Sequence, residues 1–248
     1  VHPSLLHIGF LTLPTYGLLA AVGLILALSL SLRTAALTGV SPDRLWNAGL
    51  FTLIAAFVLS RLLLVLENLH TFLAFPILLL MVPSLTPLGL GLTAVATAIY
   101  LRTRSIDMLN ALDAWTPCAT LAWIFLALGH FAEGSDPGLP SRLPWAVALP
   151  SSSLKLHPVA IYVAIAAAAL TVLLLKHLSH RHREGDTAAL GLAASGLVQF
   201  LLSFLREPAY YDDTLGRLLD PIQWLALGMI VIAAVLWQWP RRLVSHAV

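Results

Sequence analysis

The chain has 248 residues, 59% of them hydrophobic and only 10% charged, with a formal net charge of +2. Soluble domains carry about a quarter charged residues, so this composition excludes an ordinary water-soluble globule and a disordered chain, and the small, dispersed charge excludes a nucleic-acid binder. What remains is an all-α, polytopic integral membrane protein: mean hydropathy is +0.88, and at roughly 20 apolar residues per span plus connections about seven helices fit.

In chain order, the apolar runs and the charges, prolines and glycines that interrupt them predict spans over Tyr16–Leu32, Leu45–Leu66, Phe75–Leu101, Met108–Phe131, Pro158–Leu175, Thr187–Leu205 and Pro221–Trp239. The first run has no small-residue cleavage site and no basic cluster before it, so it reads as a span and not as a removable signal peptide. Residues 1–248 read as a single transmembrane domain, with residues 132–157, the longest connection, as an outward-facing loop or head region. Nine of the fourteen basic residues fall on one side of these spans and four on the other, with Arg61 inside a span. Because basic loops stay cytoplasmic, the amino terminus is expected outside and the carboxyl terminus inside. The single cysteine, Cys118, closes no intrachain disulfide and reads as a packing residue, leaving helix packing in lipid to hold the fold. The turn Lys176–Asp186 is basic and His-rich, and reads as an anchor to anionic headgroups; its histidines lack an acid or thiol at ligand spacing, so no metal site is expected there.

Ionisable groups at membrane depth are costly and mark candidate sites. Arg61, well inside the second span, is expected to pair with Asp113 or with a lipid phosphate. His130, Glu133 and Asp136 cluster where the fourth span meets the outer interface. A histidine beside a carboxylate there is a general-base arrangement or, more simply, a hydrated helix end. Arg206 and Glu207 end the sixth span, where a guanidinium meets headgroup phosphate or merely anchors the helix. Gln199, within that span, reads as interhelical glue.

An ordered series of short matches through most of the chain resembles the prolipoprotein diacylglyceryl transferase family. His2-Pro3, Ile8-Gly9 and Tyr16-Gly17 resemble its "HP…IG…WYG" opening. Ser60-Arg61-Leu62 with Glu67-Asn68 resembles "GRxGYVLFYN", and Asp113 with Pro117 resembles "D…AP". Leu143 to Val147, Pro150, His157-Pro158 and Tyr162 are similar to "LPWAVxFP…RHPSQLYE". Phe204 to Pro208 is similar to "FFREPD", and Gln223 matches the glutamine of "MGQxLS". Departures fall at the family's most polar patterns. In "GRxGNFxNGExxG" the arginine is Ala127, the two asparagines are His130 and Glu133, and the glutamate is Ser135. The histidine of "HGG" is Thr86, and in "YGxxRxxxEFxR" tyrosine, arginine and glutamate are Ser195, Gln199 and Ser203.

The resemblance implies a bacterial inner-membrane enzyme that moves diacylglyceryl from phosphatidylglycerol to the lipobox cysteine of a preprolipoprotein, in lipoprotein biosynthesis and without a cofactor. On that reading Tyr16, Arg61 and Arg206 contact the phospholipid, His130 is the base that activates the acceptor thiol, and Glu133 orients it. The alternative is a non-catalytic paralogue that binds phospholipid or lipoprotein precursor, because several of the family's polar positions are substituted.

Overall fold

The computed structural model describes residues 4–8, 11–75, 86–148, 154–207 and 219–238. His2, Pro3, Gly9, Pro150, Pro208 and Trp239, which carry parts of the sequence pattern, lie outside the described residues. A short antiparallel pair, β1 (Ser4–Ile8) and β2 (Leu11–Pro14), leads into α1 (Thr15–Thr38) and α2 (Pro42–Glu67). A one-and-a-half-turn helix, α3 (Leu69–Ala74), follows, then α4 (Pro87–Thr103) and α5 (Met108–Glu133). A two-residue ladder, β3 (Val147–Ala148) with β4 (Lys155–Leu156), precedes α6 (Val159–Ser179), α7 (Asp186–Ser203) and α8 (Pro221–Gln238).

Six of these helices, all but α3 and α4, are long and apolar enough to cross a membrane. Of the expected third span, residues 76–85 lie outside the described residues. Its described part is α4, which starts on Pro87: proline at the first helical position lacks the N–H that a helix start leaves unbonded, and it pushes the preceding residue into extended backbone. Thr86 takes that extended conformation and its Oγ1 accepts from the Gly89 N–H at 3.1 Å, capping the helix. Large apolar side chains such as Ile25, Phe57, Ile165 and Val231 lie exposed on the spans, which lipid tolerates and water does not.

The chain packs as two compact units, residues 1–30 with 112–248 and residues 31–111. In the second unit α2 packs on α4, and the hydroxyls of Thr52 and Thr97 meet at 3.1 Å across the pair. In the first, α7 packs on both α6 and α8, with small residues letting backbones approach: a Cβ on Gly196 would lie 2.8 Å from the Ala226 carbonyl oxygen. Thr171 Oγ1 donates to Thr120 Oγ1 at 3.0 Å between α6 and α5. Cys118 is buried with Ala27 and Ala122 in an apolar cluster, as a packing residue.

The deepest polar feature is Asp113, fully buried on the first unit's part of α5. Its Oδ2 lies 2.5 Å from Arg181 Nη1 and accepts from the Gly185 N–H at 2.7 Å, while Oδ1 accepts from the Ala188 N–H at 2.8 Å. A carboxylate from one helix thus caps the amino terminus of another, where unbonded N–H groups and the helix dipole favour negative charge. Two expectations are corrected here. Asp113 pairs with Arg181 and not with Arg61, and Arg181, only 3% exposed, is a structural ion partner and not a headgroup anchor. The reason is local: Gly185 takes φ +81, a left-handed turn that delivers the amides of 185 and 188 to one carboxylate.

Removing one partner of a buried ion pair strands the other charge, at about 3–5 kcal/mol. Asp113→Asn should therefore lower the melting temperature in detergent sharply, and adding Arg181→Met should recover part of the loss; equal melting of Asp113→Asn and the parent chain would remove this pair from the fold's foundations.

Candidate functional site

Helix α5 ends at Glu133 because Gly134 adopts φ +70, the left-handed conformation that closes helices and that glycine adopts at no steric cost. The turn folds back so that the N–H groups of Gly134 and Ser135 both reach the His130 carbonyl, at 2.9 and 3.2 Å. That return places Ser135 Oγ 2.9 Å from His130 Nδ1. On the other side of the imidazole stands Tyr16, from the first turn of α1, with ring centroids 4.9 Å apart and planes tilted by 52°. The approach depends on Gly129: a Cβ there would sit 2.8 Å from Tyr16 Cδ2.

The third element is the end of α7. Past Ser203 the chain forms a bridge between Arg206 and Gly138, supported by Leu139 N–H donating to the Leu205 carbonyl at 2.8 Å and Glu207 N–H to the Pro137 carbonyl at 3.3 Å. Arg206 Nη2 lies 3.2 Å from Asp136 Oδ2, both side chains mostly buried. Arg206 Nε is buried and has no hydrogen-bond partner among the described residues.

These side chains enclose a cavity of about 320 Å³. Its lining is mixed: Tyr16, His130, Ser135, Asp136, Gln199 and Arg206 bring polar groups, and Trp123, Leu126, Ala127, Ala160 and Val163 bring apolar surface. Trp123 and Gln199 are shared with a second cavity of about 340 Å³, lined also by Thr116, Thr120, Ser195 and Met229. Gln199 is not the interhelical bond the sequence suggested: its Oε1 is buried without a partner among the described residues, and the cross-helix bond is Gln223 Nε2 to Ser203 Oγ at 3.0 Å. A narrow cleft lined by both His130 and His157 adjoins the first cavity. Beside it, Trp145 Nε1 donates to Tyr162 Oη at 2.8 Å, and Tyr162 Oη lies 3.4 Å from His157 Nδ1. Three positions spread along one sequence match thus meet in one polar cluster.

Of the residues singled out in the sequence, Tyr16, His130 and Arg206 line one cavity. Glu133 does not line it, and the group at His130 Nδ1 is Ser135. Arg61 belongs to the second unit, where its guanidinium lies 5.5 Å from the centre of the Phe72 ring. Sequence reasoning missed Ser135 as the imidazole's partner and Gln199 as a cavity wall. An amide at membrane depth was the available signal for Gln199, whereas Ser135 is brought in only by the left-handed turn before it.

Six apolar helices and a cavity lined by both polar and apolar side chains define a multi-pass membrane protein with a site suited to an amphiphile. The chain belongs to the prolipoprotein diacylglyceryl transferase family, whose description matches it over residues 3–239, and it is accordingly a multi-pass bacterial membrane protein. It is 30% identical over 159 residues to a phosphatidylglycerol--prolipoprotein diacylglyceryl transferase of Paracidovorax citrulli, covering 61% of this chain and 59% of the relative. It is 31% identical over 144 residues to one of Polynucleobacter necessarius, covering 56% and 55%. The chain therefore spans between half and two thirds of these relatives' length, whereas a similarly named protein of Clostridium tetani matches at 24% identity over 96% of this chain and 98% of its own.

Gly134→Ala forces a Cβ into the left-handed region, at about 1–2 kcal/mol, and Gly134→Asn, which tolerates that region better, should lose less. Melting curves in detergent that rank the two variants equally would show that the turn does not depend on its left-handed residue.

Proposed function

We propose that this chain transfers diacylglyceryl from phosphatidylglycerol to the cysteine thiol of a prolipoprotein, working from the outer face of the inner membrane with its amino terminus outside. The observation that carries the reading is one cavity of mixed polar and apolar lining, shared by a histidine, a tyrosine and Arg206, whose buried Nε has no hydrogen-bond partner among the described residues. Membership of the family and the names of its relatives supply the substrate class.

In this mechanism the phosphate of phosphatidylglycerol sits against Arg206, whose guanidinium offers charge-assisted bonds that strengthen as the leaving phosphate gains charge. The acyl chains lie along Trp123, Leu126 and Val163 and extend past Gln199 into the adjoining cavity. With Nδ1–H of His130 donating to Ser135 Oγ, Nε2 carries the lone pair and takes the proton of the acceptor thiol. The thiolate attacks the terminal glycerol carbon of the diacylglyceryl group and forms a C–S bond. The C–O bond to phosphate breaks, glycerol phosphate leaves with the electron pair, and the imidazolium returns its proton to that product or to water. Tyr16 holds the imidazole in place across its ring face. Arg61 remains part of the proposal as a headgroup contact, and Glu133 as a source of negative charge near the helix end.

A second reading, a binder of phospholipid or lipoprotein precursor without turnover, is favoured by the Arg206–Asp136 pair, which neutralises the guanidinium at the cavity wall. Ala127 and Gln199, read from the resemblance as arginine positions in other members, line the same cavity.

Purified protein in phosphatidylglycerol vesicles with a lipobox peptide should yield a diacylglyceryl adduct on cysteine, detected by mass spectrometry. His130→Ala is expected to slow it by about a hundredfold or more, and Arg206→Ala by about a hundredfold or more. Adduct formation at the parent rate in His130→Ala would eliminate the imidazole as base. Folded, lipid-bound parent protein that forms no adduct would establish the binder reading.

A further inference from the structure

The second unit holds a cavity of about 450 Å³ that shares no lining residue with the Tyr16–His130–Arg206 cavity. Arg44 and Asn47 come from the first turns of α2, Tyr100 and Thr103 from the end of α4, and Arg104 and Ser105 from the turn that follows. That turn is a left-handed helix cap carrying a serine where glycine is usual. Ser105 has φ +52, and the N–H of Ile106 reaches back to the Leu101 carbonyl at 2.9 Å. It brings the Arg104 guanidinium to 5.4 Å from the centre of the Tyr100 ring, and Tyr100 is itself stacked on Phe51 at 4.4 Å. One cation at the cavity wall is therefore held in place by an aromatic pair.

The charge is one-sided. Neither Arg44 nor Arg104 has a carboxylate within salt-bridge distance among the described residues. The acids nearest in sequence, Asp43 and Asp107, do not line the cavity, and Asp107 Oδ1 is occupied by the Asn110 N–H at 2.9 Å. Two guanidinium groups, an amide and a serine hydroxyl surround a space with no acid in its lining, an arrangement that fits the oxygens of a phosphate. The cavity lies at the amino end of a membrane-spanning helix, which is where lipid phosphates reside. Asn47, Phe51, Ile54 and Val58 recur at helical spacing on one face of α2, and Ile54 and Val58 are exposed. That apolar stripe leads away from the cavity along the helix and supplies a track for acyl chains.

We propose that this cavity binds the phosphate of an anionic glycerophospholipid, with Arg44 and Arg104 bonding the phosphate oxygens and Asn47 and Ser105 bonding the headgroup around them. The site is independent of the transferase reading. A free phosphate offers the same oxygens but has no chain to lay on α2.

Native mass spectrometry of the full chain in neutral detergent, titrated with dilauroyl phosphatidylglycerol, dilauroyl phosphatidylcholine and inorganic phosphate, tests it. The Arg44→Gln/Arg104→Gln double variant should lose a phosphatidylglycerol-binding event or weaken it about tenfold or more. Arg206→Ala should leave that event in place, and Arg44→Lys/Arg104→Lys should retain part of it. Both arginines are exposed, so melting without lipid should match the parent. An unaltered phosphatidylglycerol titration in the double glutamine variant overturns the proposal, as does equal loss of phosphatidylcholine binding. Displacement of the lipid by inorganic phosphate at equal concentration overturns the lipid assignment in favour of a soluble anion.

Discussion

The buried carboxylate of Asp113 is the joint on which the first unit depends. Taking a carboxylate out of water is expensive, and here Arg181 and two backbone N–H groups at the start of α7 compensate for it together. The joint also sets distances. From Asp113 to His130 along α5, and from Asp186 to Ser203 along α7, the chain advances the same number of residues, about 26 Å at a helical rise of 1.5 Å per residue. Two helices pinned at one end and equal in reach finish level with each other, which is why an imidazole and a guanidinium far apart in sequence line one cavity.

At that far end the chemistry is held in reserve. Arg206 is shielded by Asp136, so an arriving anion competes with a resident carboxylate for the guanidinium and does not meet a bare cation. Such a pair keeps a buried charge soluble in its surroundings while the cavity is empty. On the proposed reading, the pair favours ligands carrying enough charge to displace or share the carboxylate, and a neutral amphiphile has no such means.

The membrane class and six of the spans were legible because hydrophobic runs interrupted by charges are the strongest pattern a chain can show. Within the third span, the described helix starts on a proline with a threonine cap before it, a local signal that hydropathy alone does not register. Tyr16, His130 and Arg206 were legible as polar residues at helix ends beside short family matches. The Arg181–Asp113 pair was not, since the two lie far apart in sequence and Arg181 sits in a stretch whose other basic residues suggest a solvated turn. Ser135 was equally hidden: its part depends on a backbone turn at Gly134, and nothing about a serine announces it.

The head segment around residues 137–141 is fastened to its surroundings by main-chain bonds: Leu139 to Leu205, Glu207 to Pro137, His157 to Leu139 and Ser141 to Lys155. Bonds of that kind are indifferent to side-chain identity. Except at Gly138, where a Cβ would collide with the His157 carbonyl oxygen, substitution can therefore rewrite much of what this segment displays without moving it, whereas inserting or deleting a single residue shifts every pairing and pulls the segment away from the end of α7. The architecture accordingly tolerates change of composition and resists change of length, a distinction that separates how its specificity can drift from how its scaffold can fail.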